Sequence, residues 1–185
     1  MNIGAISKRY AKALLTYATE HGKEDLCYKQ VKSFIRQFRN MYDLRKALES
    51  PALSSKDKLQ LLNEAAGHGD TCPELMRFFK LVLDEKREKL FLFISFSYID
   101  LYRETKQIRR GKLITAVPVS DVLENRLRTL IEQDRAGSVE FDTKVDPALI
   151  GGFVLQIGTT RIDASVAGQL KRVKKQFIEK NKRIV

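Results

Sequence analysis

Two histidines, two cysteines and a scatter of carboxylates are the groups with which this chain would begin acid–base, metal or thiol chemistry. His21 closes an apolar-periodic stretch and His68 stands between Gly67 and Gly69. Both are remote from any Ser or Cys in a nucleophile context, so they read as surface side chains and not as an acid–base pair. Cys27 and Cys72 lack a CxxC or Cys/His spacing. Neither a zinc site nor a disulfide framework is indicated, and both fit a reducing cytoplasm. Asp84, Glu85, Asp142 and Asp146 fall in different elements without ligand spacing, and Asp146 before Pro147 is a turn initiator. Asp163, between Ile162 and Ala164 at a strand-to-helix junction, is expected to cap the final helix or link to Arg161. No GxSxG, HExxH or GxxxxGK[ST] pattern is present. GGFVLQIG lacks the GxGxxG order and a following basic residue, so it is no nucleotide cradle. The expectation is no catalytic site, no cofactor and no metal; an enzyme would have to work through Asp163 or His68.

Charge points outward instead. The formal net charge of +11 raises nucleic acid, an anionic membrane surface or an acidic protein as partners. Residues 1–105 hold 18 basic and 14 acidic side chains and residues 106–185 hold 16 and 9, which places most of the excess in the second part. Lys171, Arg172, Lys174, Lys175, Lys180, Lys182 and Arg183 crowd the C-terminal stretch, which suits non-specific phosphate contact. The strands, however, offer only Phe141 and Phe153 and no RNP-like run. A helix face that finds a protein partner is therefore preferred over a basic nucleic-acid-binding module, which stands as the alternative. Met1 to Tyr17 is interrupted by Lys8, Arg9 and Lys12 and is no signal peptide. Leu90 to Leu101 falls short of the about 20 apolar residues that a bilayer requires. A soluble protein with peripheral membrane association is expected.

The elements follow from hydrophobic period. Ile3, Ile6, Tyr10, Ala13, Leu14 and Tyr17 recur at helical spacing and end near Gly22. Leu26, Val31, Phe34, Ile35 and Phe38 mark a second helix, and a short third runs from Met41 to Glu49, stopped by Ser50-Pro51. Ser54 and Asp57 are spaced as a capping box for a fourth, broken at Gly67-His68-Gly69. Thr71 and Glu74 read as a second capping box, leading into Leu75, Phe78, Phe79, Val82 and Leu83. A last helix spans roughly Lys89 to Gln107. After Arg109-Arg110-Gly111 the period changes to two through Leu113, Thr115 and Val117, then returns to helix after Ser120-Asp121, with Leu123, Leu127, Leu130 and Ile131 inward. Val139, Phe141, Thr143 and Val145 alternate again. The expected fold is α+β: an N-terminal six-helix bundle over 1–107 and a small β-α-β-β-α domain over 108–185.

The segment from Lys144 to Val173 is the most specific stretch. It reads as an acidic turn with proline, the glycine pair Gly151-Gly152, a short apolar strand, a second strand carrying Arg161 and Asp163, and a basic amphipathic helix with Leu170, Val173 and Phe177 on one face. A glycine pair at a strand start permits a bulge or a close backbone approach. This order of residues resembles the C-terminal signature of the delta subunit of F-type ATP synthases, the bacterial relative of the oligomycin-sensitivity-conferring subunit. ISKRYAKALLTYA resembles the family's Tyr-Ala-x-Ala-Leu helix, SPALSSKDKLQLL its proline-serine-lysine segment, and GKLITAVPVSD the strand that opens its second domain.

The resemblance implies a non-catalytic stator protein that couples rotor torque to ATP synthesis elsewhere. It implies that the helical domain grips the N-terminal helix of an alpha subunit through Tyr10, Ala13 and Leu14, with Phe78, Phe79 and Val82 as the other wall. The second domain would hold the C-terminal end of the peripheral-stalk b subunit, with Gly151, Gly152, Arg161 and Asp163 as structural signature. No nucleic acid is expected, and membrane association would come only through the complex, at the cytoplasmic face of a bacterial plasma membrane. Lys86-Arg87-Glu88-Lys89 departs from the family, which often has a glycine or asparagine turn there, and so does the very basic tail.

Overall fold

A computed structural model describes residues 3–120, 124–126, 128–129 and 138–182, with side chains to 179. The chain is α+β and divides into two compact units, Met1–Thr105 and Lys106–Val185.

The first unit holds α1 (Ile3–Glu20), α2 (Glu24–Asn40), α3 (Tyr42–Glu49), α4 (Ser55–Gly67), α5 (Pro73–Asp84) and α6 (Phe91–Thr105), with a 3-10 turn at Glu88–Leu90. Its core is aromatic. Phe34 of α2 lies 5.3 Å from Phe38, 5.5 Å from Phe79 and 6.1 Å from Phe91, centroid to centroid, in tilted and edge-on arrangements that suit the ring quadrupole. Val31, Leu62, Leu75, Ile94 and Tyr98 are buried around it. Ser54 caps α4 by accepting from the Asp57 N–H at 3.2 Å, and its hydroxyl donates to Asp57 Oδ2 at 2.7 Å.

Two expectations change at the next boundaries. Thr71 does not cap α5: the cap residue is Cys72, because Pro73 occupies the first turn and holds its predecessor extended. The Thr71 hydroxyl donates instead to the Asn63 carbonyl at 3.0 Å. The last helix starts at Phe91, behind the 3-10 turn, and not at Lys89. Glu88 in that turn pairs with the nearly buried Lys58 of α4 at 3.0 Å. Lys86 takes φ +53, the left-handed conformation that a glycine or asparagine adopts most readily.

The second unit is built on a four-stranded sheet in the order β2-β1-β3-β4, formed by β1 (Arg109–Thr115), β2 (Val139–Val145), β3 (Phe153–Ile157) and β4 (Thr160–Asp163). Central β1 pairs parallel with β2 and antiparallel with β3. The parallel pair demands a crossover, and residues 124–126 and 128–129 of that connection are helical. Leu123, Leu127, Leu130 and Ile131, expected on its inward face, lie outside the described residues. β1 buries Gly111, Leu113 and Thr115 with period two, and Leu113 sits opposite both Thr143 and Leu155. Thr160–Asp163 is the second strand read in the Lys144–Val173 segment, which the β-α-β-β-α formula leaves out, and it hairpins onto β3 through Gly158-Thr159. The chain closes with α7 (Val166–Lys182).

Candidate functional site

In the helical unit, α1 and α5 meet along a seam. The rings of Tyr10 and Phe78 stand edge to face at 6.4 Å, the Arg87 guanidinium lies 5.3 Å from the Tyr10 ring centroid, and Arg77 Nη1 donates to the Tyr17 hydroxyl at 2.6 Å. The buried stripe of α1 is Ser7, Ala11, Leu14 and Ala18. One position before each runs a second stripe, Ile6, Tyr10, Ala13 and Tyr17, which is half-buried except for exposed Ala13. Ile3 extends that stripe, and Leu81 stands one turn beyond Phe78 on α5; both are about half exposed.

The structure therefore separates the six residues singled out for the seam. Tyr10 and Ala13 reach the surface, whereas Leu14, Phe79 and Val82 are no more than 3% exposed and belong to the core beneath it. Phe78 joins the two layers through its contact with Tyr10. Sequence reasoning missed Arg77, Leu81 and Arg87, which decorate the rim. The stripe is apolar in the middle and cationic at its edge, a surface suited to an amphipathic helix with acidic flanks.

In the second unit the signature residues build the start of α7. The Ser165 hydroxyl, fully buried, accepts from the Gly168 N–H at 3.0 Å and so caps the helix, while it donates to Asp163 Oδ1 at 2.6 Å. Asp163 Oδ1 also accepts the Ser165 N–H at 3.0 Å. These bonds, with the nearby Arg161 and Arg172 cations, hold the Asp163 carboxyl below the usual carboxylate range. The glycine pair crosses this junction: Gly151 accepts the Val166 N–H at 3.0 Å, and Phe153 accepts the Ala164 N–H at 3.0 Å. Gly152 has φ +75, and a Cβ there would run into the Ala164 carbonyl oxygen and lie 3.2 Å from Ser165 Cα. The pair thus serves backbone geometry. Sequence reasoning missed Ser165, although a serine three residues before an amide in the first helical turn is a cap signal.

Beyond its first turn α7 is an open surface. Leu170 and Phe177 are more than half exposed, and Val166, Val173 and Ile178 are exposed beside them. Asp163, Gly168, Lys171, Arg172 and Lys175 line a shallow depression of about 310 Å³ along the same helix. The side chains of Lys180, Lys182 and Arg183 lie outside the described residues. His21 and His68 are both exposed, His21 against the Tyr17 carbonyl at 2.9 Å and His68 at the left-handed C-terminus of α4. Among the described residues no cluster of histidine, cysteine or carboxylate side chains is arranged to hold a metal ion.

The profile of the family described as ATP synthase delta (OSCP) subunit matches residues 6–177 of the chain. The chain is 53% identical to the ATP synthase subunit delta of Phocaeicola vulgatus and 48% identical to that of Bacteroides thetaiotaomicron, with all of each chain covered. It is 30% identical to the ATP synthase subunit delta of Prochlorococcus marinus over 92% of this chain and 95% of that one. Its fold is similar to a chain in the cryo-EM structure of the Toxoplasma gondii mitochondrial ATP synthase hexamer, with a TM-score of 0.60 and 21% identity over 93% of this chain and 97% of the other.

Proposed function

Because this chain belongs to the ATP synthase delta (OSCP) subunit family, we propose that it ties the catalytic head of an F-type ATP synthase to the peripheral stalk through two helix-binding surfaces. As a member of that family it is a non-catalytic stator subunit of the complex, and its work is mechanical. Proton flow turns the central rotor, and the catalytic head turns with it unless it is held. Holding it converts torque into conformational work at catalytic sites on other subunits.

The observation that carries the head-binding half is the open stripe of α1 beside α5. An incoming N-terminal helix of an alpha subunit would lay its apolar face along Tyr10, Ala13 and Leu81. The methyl of Ala13 lets two helix axes approach to about 8–10 Å, and Tyr10 adds ring area with a polar tip. Leu14, Phe79 and Val82 support that floor from the core and touch no partner directly. The stalk-binding half rests on α7, whose exposed Leu170, Val173 and Phe177 repeat at helical spacing between cationic side chains. A segment from the C-terminal end of the b subunit, with an apolar stripe and acidic flanks, fits that chemistry. No helix among the described residues is long and apolar enough to cross a membrane. In this reading the chain is held at the cytoplasmic face of a bacterial plasma membrane through its partners.

The test is reassembly in sealed vesicles. A complex lacking the chain is expected to keep ATP hydrolysis by the head and to lose proton-driven synthesis, which returns when the chain is added back. Undiminished synthesis without the chain would overturn the proposal.

A further inference from the structure

We infer that Cys27 and Cys72 form a redox-active dithiol, a site of reversible disulfide formation that joins α2 to the start of α5. They are the only cysteines of the chain, they stand 45 residues apart in sequence, and their sulfurs lie 3.1 Å from each other in the buried part of the helical unit. Cys27 is 0% exposed and Cys72 is 5% exposed. Two thiols that merely pack as small apolar groups need no particular mutual orientation. Here the approach is built.

The loop that delivers Cys72 is held by five side-chain hydrogen bonds. Gln30, one turn beyond Cys27 on α2, accepts the Cys72 N–H at 2.9 Å and donates to the Asp70 carbonyl at 2.8 Å. Asn63 of α4 donates to the Gly69 carbonyl at 3.0 Å, accepts the Thr71 N–H at 3.1 Å, and receives the Thr71 hydroxyl on its own carbonyl at 3.0 Å. The residue that carries one sulfur and the residue that anchors the other thus share a helix. Closing 3.1 Å to the about 2.05 Å of a disulfide takes roughly one ångström of side-chain adjustment.

The two sulfurs are not equivalent. Either sulfur can donate across the 3.1 Å contact; the contact with Cys27, and after it the amide of Leu75 in the first turn of α5, lower the Cys72 thiol from its ordinary range. The same S–H···S bond, followed by burial, pushes Cys27 up. Cys72 stands at the N-cap of α5 and is the less buried of the two, so it is the nucleophile and Cys27 the resolving thiol. The oxidant is hydrogen peroxide. The Cys72 thiolate attacks one peroxide oxygen, the O–O bond breaks, and the departing hydroxide takes a proton and leaves as water. The Cys27 sulfur then attacks the Cys72 sulfenic acid, the S–S bond forms, the S–O bond breaks, and the hydroxide leaves with the Cys27 proton as a second water. Two thiols lose two electrons to one peroxide. The bridge fixes the first turn of the helix that supplies Arg77, Phe78 and Leu81 to the seam.

The full-length chain, reduced and then treated with hydrogen peroxide under native conditions, tests this by intact mass after alkylation. The expected result is a monomer lighter by two hydrogens with no alkyl group added, reverted by dithiothreitol, and with a thermal midpoint raised by on the order of 10 °C for closure of this loop. Cys27→Ala is expected to leave a Cys72 sulfenic acid that a dimedone probe captures. The inference is overturned if both thiols stay alkylatable, if the bridge forms only after denaturation, or if peroxide yields only sulfinic acids or disulfide-linked dimers.

Discussion

Replacing Gly152 by alanine isolates the geometry on which the start of α7 depends, because the chain contains its own control. Gly152 and Gly158 have similar backbone angles, φ +75 and φ +57, but a Cβ at Gly158 meets nothing within 4 Å, whereas one at Gly152 meets the Ala164 carbonyl and the Ser165 Cα. Gly158→Ala therefore carries only the left-handed penalty of about 1–2 kcal/mol. Gly152→Ala carries that penalty plus an overpacking term of about 1–3 kcal/mol against backbone that cannot rotate away. The total is about 2–5 kcal/mol. For a unit of this size each kcal/mol moves the thermal midpoint by about 4–8 °C, so Gly152→Ala is expected to lower it by about 10 °C or more, and Gly158→Ala by roughly half that. Thermal melts of the two variants give the comparison, and hydrogen exchange at the Ala164 and Val166 amides locates it, since both bonds cross the glycine pair. Equal losses in the two variants would refute the crowding argument and leave only backbone conformation at work.

The Asp163 carboxylate lies below its ordinary range through its bonds to Ser165. Its contribution is present above the unfolded aspartate value of about 3.9 and is lost as pH falls through the lower folded value. Acid titration followed by amide exchange in the first turn of α7 should show protection that holds to about pH 4 and then falls, and Asp163→Asn should abolish that acid limb. Lys86, exposed and left-handed at φ +53, should gain about 1 kcal/mol of stability as Lys86→Gly, read as a shift of the denaturation midpoint at unchanged slope; a loss would show that the lysine side chain holds the turn.

The residues show which features of the fold local signals specify. Helix ends are legible wherever a single residue sets them: Ser54 caps α4 through its own hydroxyl, and Gly22 follows α1 at φ +62. The change of period after Gly111 marks the sheet, and the glycine pair marks the crossing over α7. Periodicity identifies a face and not what covers it. Ile6, Tyr10 and Ala13 share the apolar stripe with Leu14, yet only tertiary packing decides that Leu14 is sealed while Ala13 stays open. Phe79 and Val82, named with Phe78 as the other wall, are buried for the same reason, and Phe79 packs against Phe34. The cysteine pair is illegible because its partners lie 45 residues apart and are brought together by Gln30 and Asn63, whose spacing spells no motif.

Calorimetric titration of the full-length chain with a peptide spanning the N-terminus of its own organism's alpha subunit tests the central claim most directly. Wild type is expected to bind one to one and saturably. Ala13→Trp, a substitution at an exposed helix position with a stability effect within about 0.5 kcal/mol, is expected to weaken binding at least tenfold, about 1.4 kcal/mol, by filling the approach between the helices. Absent binding by wild type, or equal binding by Ala13→Trp, would contradict the account and remove the α1–α5 seam as the point where the head is held.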